Sequence, residues 1–256
     1  LILTSLFLPG ERNRFRWEQA AAKELVRFGK WIFLSTTFWF VSSQGDRAIL
    51  GKFLTLEMLG QYNIGFFLAS FPTLLGQSVN DRLMIPVYRE KPARESRSNL
   101  RKQRLLRDAL TAGVVGLSLV MAYVGPWLVD VLYDPRYATA APLVTLIACA
   151  MIPSVIGMTY DQAALAAGDS RSHFMYSAVR AMAQVVMILI GVATFGLLGA
   201  VVAIGFAYLA AYPALVWLAR RHGVWDPMHD ALALGLSMAI GGGAIVLHWD
   251  RIQTLL

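Results

Sequence analysis

The chain is poor in the residues that cross-link small domains or hold metals. It has one cysteine, Cys149, among 256 residues, so a disulfide framework and a cysteine-based metal site are both excluded. It also has no DxD motif and no long loop on the predicted outer side. Catalysis at a membrane surface needs an acid or base held at the bond being broken, which a large surface loop would normally supply. We therefore expect no enzymatic site, no metal and no cofactor.

Charge is scarce as well, and apolar residues are abundant. Only 15% of the residues are charged, whereas 57% are hydrophobic, and the mean hydropathy is +0.53. Soluble domains are only about half apolar, and a bilayer core about 30 Å thick needs roughly 20 apolar residues of helix. The sequence therefore predicts an all-α, polytopic membrane protein. Seven stretches are long enough to cross: 30–53, 59–81, 109–133, 140–160, 174–195, 197–218 and 231–249.

The basic residues are sorted to alternate sides of these spans. Eighteen of the 23 Lys and Arg residues fall in segments 10–30 and 82–107 and in the turns at 171 and 220–221. The opposite loops hold only Arg47, Lys52, Arg136 and Arg251. Because basic loops are retained in the cytoplasm, this alternation predicts the orientation. The net charge of +7 then reflects orientation and anionic membrane lipids, and we expect no nucleic-acid partner.

The ends of the predicted spans suggest how the chain is organised. Residues 1–9 are apolar without a basic leader, and we interpret them as the end of a preceding transmembrane helix, with an interfacial segment as the alternative. The chain would then be the C-terminal portion of a larger transporter or membrane enzyme. Residues 10–29 mix basic and aromatic side chains and predict an interfacial segment. Residues 82–108 predict a basic cytoplasmic loop with one helical end, since Pro92 opposes a continuous helix.

Ionisable residues inside spans are expensive and are therefore candidate functional residues. Arg180 lies about 10 Å below the cytoplasmic boundary, by the helical rise per residue. If the hairpin turns near 168–172, Asp161 lies at the same depth, so the two either form a contact or line one cavity. The sequence is compatible with two roles for this pair. Either the two residues form an ion pair that only holds the hairpin together, or Arg180 binds a lipid phosphate. Gln184 is placed in the same candidate cavity.

A second polar group is predicted near the outer end of the first span. It holds Gln44, Asp46 and Arg47, and folding about Thr55 brings Arg47 level with Asn63. Adjacent residues of a helix do not face each other, so Asp46 and Arg47 need partners on other helices. The group is either an interfacial anchor or has a role in an outer gate or in contact with a ligand.

Two further features receive structural interpretations. Pro72 predicts either a hinge or a static bend in the second span. The stretch 222–230 holds His222, Asp226, His229 and Asp230, but Gly223 and Pro227 interrupt any regular helix face. We interpret that stretch as an ordinary cytoplasmic turn.

Two motifs carry a family resemblance. Gly45-Asp46-Arg47, with Ile49-Leu50-Gly51-Lys52-Phe53 and Leu59-Gly60-Gln61-Tyr62 after it, resembles the opening of a six-helix lobe in Wzx-type flippases of the multidrug/oligosaccharidyl-lipid/polysaccharide (MOP) exporter superfamily. The run 132–137, leading into 140–143, resembles the outer turn between the third and fourth helices of that lobe. The resemblance implies a C-terminal lobe at 30–221, an additional transmembrane helix at 222–256, and an N-terminal lobe as partner.

The resemblance also implies a function. It indicates a multi-pass flippase of the bacterial cytoplasmic membrane that moves polyprenyl-diphosphate-linked oligosaccharide for O-antigen, capsule or exopolysaccharide synthesis. Polysaccharide polymerase machinery is a further expected partner. A multidrug or lipid-precursor exporter of the same superfamily is the alternative, and a membrane-embedded glycan polymerase or ligase is a weaker one.

Overall fold

The computed structural model describes residues 18–90 and 96–255. Across these ranges the chain is helical and contains no strand, which confirms the all-α prediction. The helices are α1 (Gln19–Phe53), α2 (Leu56–Glu90), α3 (Arg97–Leu132), α4 (Ala140–Gly157), α5 (Asp161–Ala166), α6 (Ser170–Arg221), α7 (Pro227–Leu247) and α8 (Trp249–Ile252). A 3₁₀ turn, Pro135–Tyr137, lies between α3 and α4, and another, Gln253–Leu255, follows α8.

Within residues 18–90 and 96–255, four helical stretches are long and apolar enough to cross a membrane, which agrees with the predicted polytopic fold. They are α3, α4 together with α5, α6, and α7. These stretches contain five of the seven predicted spans, because α6 carries two of them. The described part of the chain is therefore a multi-pass helical assembly.

The first two predicted spans differ from this expectation. They lie in α1 and α2, which are 35 residues long and so about 50 Å by the helical rise. Neither is among the stretches apolar enough to cross by composition. The reason is that both helices carry polar side chains along their length. Some are buried, as are Asp46, Gln61 and Asn80, and others are exposed, as are Gln44 and Gln77.

Helix α6 reverses at the predicted outer turn. Phe195 and Gly196 leave the helical conformation, and Gly196 has φ +60°, which favours glycine. The first arm (170–194) and the second arm (197–221) then fold back so closely that a Cβ on Gly191 would collide with the backbone of Gly199. The two spans predicted on either side of residue 196 therefore lie where expected.

Helix α4 is the centre of the assembly. It packs against α2, α3, α6 and α7, and 78% of the most apolar stretch of α4–α5 is buried, against 22% in α7. Leu143, Val144 and Ile147 are fully buried. Gly125 of α3 lets Val144 approach its backbone, and the Thr145 hydroxyl donates to the Ala122 carbonyl at 2.9 Å. The helix that lipid would contact least is thus the one against which four other long helices pack.

Two segments predicted to lie outside the spans continue the long helices. Helix α2 continues through Pro86 to Glu90, and α3 begins at Arg97, where the Ser96 side chain accepts from the Asn99 N–H at 3.1 Å. Segment 82–108 was predicted to have one helical end, and it is helical over 82–90 as well as over 97–108, because Arg- and Leu-rich sequence is a good helix former. Likewise, α1 runs unbroken from Gln19 through residue 30, so the described part of segment 10–29 extends the first span. Residues 1–9 lie outside the described ranges.

Candidate functional site

A polar cavity of about 340 Å³ lies among five helices, near the end of the bundle that the basic residues predict to be cytoplasmic. Its walls come from α1, α2, the α4–α5 junction and both arms of α6. The polar side chains that line it are Ser35, Thr36, Gln77, Asn80, Asp81, Ser154, Asp161, Gln162, His173, Tyr176, Ser177, Arg180 and Tyr208. In a protein this apolar, such a concentration of polar groups inside the helices marks the first place to look for function.

A break in the helix between α4 and α5 shapes one wall. Residues 158–160 form a turn after Gly157, and helical structure resumes at Asp161. The carbonyl groups that the break frees are taken by side chains of α2. Asn80 Nδ2 donates to the Met158 oxygen at 2.9 Å, and the Tyr88 hydroxyl donates to the Thr159 oxygen at 3.2 Å. Non-helical backbone is tolerated at membrane depth only when it is satisfied in this way or lines a cavity.

Asp161 and Arg180 both line this cavity, which is one of the two arrangements that the sequence predicts for them. They enter from different segments, the first turn of α5 and the first arm of α6. Asp161 Oδ1 and Arg180 Nε are buried, and no hydrogen-bond partner for either atom lies among the described residues. The guanidinium carbon of Arg180 lies 5.9 Å from the ring centroid of Tyr176. The pair therefore faces a common space rather than closing into a simple helix-to-helix ion pair.

The α2 wall of the cavity adds a second carboxylate, that of Asp81, and a hydrogen-bond acceptor without a donor, the Oδ1 atom of Asn80. Asp81 Oδ1 accepts from Gln162 Nε2 at 2.8 Å. Asn80 is 1% exposed, and its Oδ1 atom has no partner within the described ranges. The cavity thus offers a cation, two carboxylates and several neutral polar groups. That set suits a ligand with a charged head and many hydroxyl groups.

Sequence reasoning missed several of these side chains, although a signal was present. His173, Tyr176, Ser177 and Arg180 follow one another at helical spacing on the first arm of α6. Residues three and four apart share one face of a helix, so this is a polar stripe inside an apolar span. Tyr208 comes from the second arm of α6, and no polar stripe in the sequence marks it. It reaches the cavity only because the chain reverses at Gly196.

The outer candidates form a separate group that does not line this cavity. The Tyr62 hydroxyl of α2 donates to Asp46 Oδ2 at 2.6 Å, and Asp46 is buried. Asp46 therefore has a partner on another helix, as predicted. Arg47 departs from that prediction in part: it donates to Gln44 of its own helix at 3.2 Å and also covers the Phe66 ring of α2 at 5.4 Å.

Asn63 and Gln184 have different surroundings. Asn63 Oδ1 is buried without a hydrogen-bond partner in the part of the chain that the structure describes. Gln184 Nε2 donates to the Ser42 carbonyl at 2.7 Å and so joins the first arm of α6 to α1. Gln184 is not among the residues that line the cavity. Its geometry is that of a helix-packing contact between the two polar regions.

The stretch 222–230 is not the ordinary turn that the sequence suggests. Asp226 caps α7 and pairs with Arg104 at 2.8 Å and with Arg107 at 3.4 Å. Arg107 is 3% exposed and also donates to the Val224 carbonyl at 2.7 Å. We name Arg107, Tyr160, Tyr212, Asp226, His229 and Asp230 the rear network, since it lies behind the cavity wall. The predicted turn between α6 and α7 is present, at residues 222–226. What the sequence did not indicate is that its side chains are buried and paired, because their partners come from helices remote in sequence.

A metal site does not emerge from either region. Among residues 18–90 and 96–255, no group of three or more His, Cys, Asp or Glu side chains is placed to hold a metal ion.

Comparison with protein families identifies the chain. The family described as polysaccharide biosynthesis protein matches residues 1–142, more than half of the sequence. The chain belongs to the polysaccharide biosynthesis protein family. Comparison with curated proteins and with solved structures finds no match. Membership, together with the long apolar helices, makes it a multi-pass membrane protein of polysaccharide biosynthesis.

The residues that the family model matches contain only part of the polar regions of this polysaccharide biosynthesis protein. It includes the outer group around Asp46 and the α2 wall of the cavity with Asn80 and Asp81. Asp161 and Arg180 lie beyond residue 142. The cavity is thus built jointly from matched helices and from the part of the chain that follows them.

Proposed function

We propose that the protein is a flippase that moves polyprenyl-diphosphate-linked oligosaccharide across the bacterial cytoplasmic membrane. The glycan would serve O-antigen, capsule or exopolysaccharide synthesis. Support comes from membership in the polysaccharide biosynthesis family, from the apolar helices and from the resemblance to Wzx-type exporters. By that resemblance, a second lobe faces the cavity, and alternating access exposes it first inside and then outside.

The observation that carries this proposal is the half-buried Arg180 in a polar cavity. A carrier diphosphate needs cationic partners, and arginine binds phosphate oxygens through two parallel N–H donors. Arg180 faces the cavity with a donor that no described residue takes. Neutral side chains such as Ser35, Gln77 and Ser177 line the remaining walls and can bond sugar hydroxyls. The apolar polyprenyl chain would stay in lipid.

A reconstituted flipping assay tests the proposal. The full-length protein is placed in vesicles with a defined polyprenyl-diphosphate glycan, and the fraction reaching the opposite leaflet is measured. We expect unmodified substrate in that leaflet and a loss of at least about tenfold for Arg180→Ala, the cost of removing a charge-assisted phosphate contact. Arg136→Gln is the matched control, because the Arg136 side chain is 71% exposed in the outer turn.

The same assay separates the alternatives. A chemically altered glycan would favour a polymerase or ligase. Transport of unrelated amphiphiles with no movement of the glycan lipid would favour a multidrug or lipid-precursor exporter. Normal export by Arg180→Ala at normal protein level would remove Arg180 from the proposed site.

A further inference from the structure

Asp230 lies outside the cavity, in the first turn of α7, yet it holds side chains from two other segments. The Tyr160 hydroxyl donates to its Oδ1 atom at 2.7 Å, and the Tyr212 hydroxyl donates to its Oδ2 atom at 2.7 Å. His229 Nδ1 lies 2.9 Å from Oδ1. Asp230 is 5% exposed. A buried carboxylate whose oxygens are both occupied fixes the groups that it bonds.

The first of these hydrogen bonds, from Tyr160, acts on the residue directly before Asp161 in the chain. Tyr160 is the last residue of the helix break, and Asp161 follows it in the chain. Tyr160 is 1% exposed, and the Arg107 guanidinium carbon lies 5.1 Å from its ring centroid. Consecutive Cα atoms are 3.8 Å apart, so a side chain that locks Tyr160 also limits where Asp161 can sit. The helix break alone, without this bond, would leave that position less determined.

The second hydrogen bond, from Tyr212, acts on the opposite wall of the cavity, which the second arm of α6 forms. Tyr212 comes one turn after Tyr208 on the second arm of α6, so the two share a helix face. Tyr208 lines the cavity and also a smaller apolar pocket of about 170 Å³ behind it. Tyr212 and Asp230 line that same rear pocket. The bond to Asp230 therefore fixes the helix face that carries Tyr208.

We propose that Asp230 is a positioning residue for the cavity. One carboxylate at the back of the site holds Asp161 and Tyr208, on two separate segments, at a fixed spacing. Asp230 would not touch the transported lipid. The inference rests on the proposed function only for its transport readout, because the geometry of the cavity can be measured without any substrate.

A cysteine-labelling experiment reads that geometry directly. Ser177 lines the cavity and is 5% exposed, so Ser177→Cys in a Cys149→Ala background of the full-length protein reports access to it. We compare four variants in this background, namely Asp230→Ala, Asp230→Asn, Tyr160→Phe and Tyr212→Phe. Asp250→Asn is the control. Asp250 is an exposed acid beyond α7 and gives the same change in charge.

We expect Asp230→Ala to change the labelling rate by at least about threefold, since the site loses two fixed supports. Each tyrosine variant is expected to give part of that change, and Asp250→Asn none. Asp230→Asn keeps one acceptor oxygen and should fall between. In the flipping assay, a shift of the walls by about 1 Å predicts a loss of about tenfold or more.

The outcomes separate the two proposals. If Asp230→Ala lowers thermal stability while the labelling rate stays at the parental value, Asp230 is only structural and the inference is overturned. Equal labelling in both tyrosine variants and the parent would overturn it as well, even if Asp230→Ala failed to fold. If labelling changes as expected but the parent protein does not move the glycan lipid, the inference holds and the proposed function fails.

Discussion

The cavity and the rear network contain similar side chains at neighbouring positions, but they differ in whether their buried carboxylates have hydrogen-bond partners. In the rear network both oxygens of Asp230 have partners at 2.7 Å, and the two Nη atoms of Arg107 have partners at 2.7 and 3.4 Å. In the cavity, one residue away from Tyr160, Asp161 Oδ1 has no partner within the described ranges. The Nε atoms of Arg107 and Arg180 are alike in lacking one there, so the contrast lies in the carboxylates. Since leaving buried charge unpaired is costly, the first region serves the fold and the second keeps polar groups available for a ligand.

The largest stability loss is expected from Arg107→Ala. The change leaves the Val224 carbonyl and part of Asp226 without a partner in the interior, and removing one member of a buried pair costs about 3–5 kcal/mol. Thermal unfolding of the purified protein in detergent measures it. Arg104→Gln is the control, because Arg104 is half exposed and should cost less than about 1 kcal/mol. Equal losses in the two variants would show that burial does not govern this network.

The outer group provides an intermediate case. Tyr62→Phe leaves Asp46 buried without the hydroxyl that it accepts from at 2.6 Å, and hydrogen bonds to charged groups are worth about 1.5–3 kcal/mol. We expect a loss in that range by thermal unfolding. Asp46→Asn should cost less in the Tyr62→Phe background than in the parent, as a double-mutant cycle would report. Strictly additive effects would mean that Asp46 and Tyr62 act independently.

A smaller effect is expected at the cytoplasmic surface, at Asp169. Burial alone would raise the pKa of this carboxyl. Hydrogen bonds from the Ser172 hydroxyl and N–H, with the nearby charges of Arg221 and His222, instead hold the pKa below its ordinary value. Asp169 also caps α6, accepting from the Ser172 N–H at 3.1 Å. Replacing a helix cap by alanine costs about 1 kcal/mol, so Asp169→Ala should lose about that much stability at neutral pH.

The pH dependence has a definite sign. A carboxyl whose folded pKa is lowered adds stability above its unfolded pKa, and this contribution disappears as the pH falls through the folded value. The difference in unfolding temperature between parent and Asp169→Ala should therefore be constant near neutral pH and shrink below about pH 4, the unfolded pKa of aspartate. A difference that grows on acidification would contradict the assigned contacts.

The smallest change in stability is expected at Arg180. Replacing a charge that lacks full pairing with neutral glutamine should alter the free energy of unfolding by less than about 1 kcal/mol, since the desolvation penalty disappears with the charge. Thermal unfolding of Arg180→Gln beside Arg107→Gln tests the contrast between the two regions most sharply. A loss at Arg180 as large as that at Arg107 would mean that the cavity arginine is structural.

Much of the helical architecture follows from local pattern. The apolar runs, the turn at Gly196 and the common depth of Asp161 and Arg180 can all be read from spacing, because helix geometry and bilayer thickness are fixed. The single helical end predicted for 82–108 covers the helix at 97–108 and leaves out the helix at 82–90. Arginine favours helix, and Pro86 lies inside α2 without ending it.

The rest depends on contacts between residues far apart in the chain. Asp230 and Tyr160 are separated by 70 positions, and Asn80 and Met158 by 78. No local periodicity signals such pairs, so the rear network was predicted to be a simple turn. The separation of the outer group from the cavity agrees with the predicted depths, whereas Gln184, which the sequence placed in the cavity, lies outside it because packing brings it against α1.

Binding of a polyprenyl diphosphate to the purified full-length protein is the most direct test of Arg180 as the ligand-binding cation. The comparison is between the parent, Arg180→Gln and the exposed control Arg136→Gln, with unfolding temperatures recorded for each. We predict dissociation constants at least about tenfold weaker for Arg180→Gln, unchanged for Arg136→Gln, and similar stability in all three. Binding by a stable Arg180→Gln protein as tight as that of the parent would contradict the assignment.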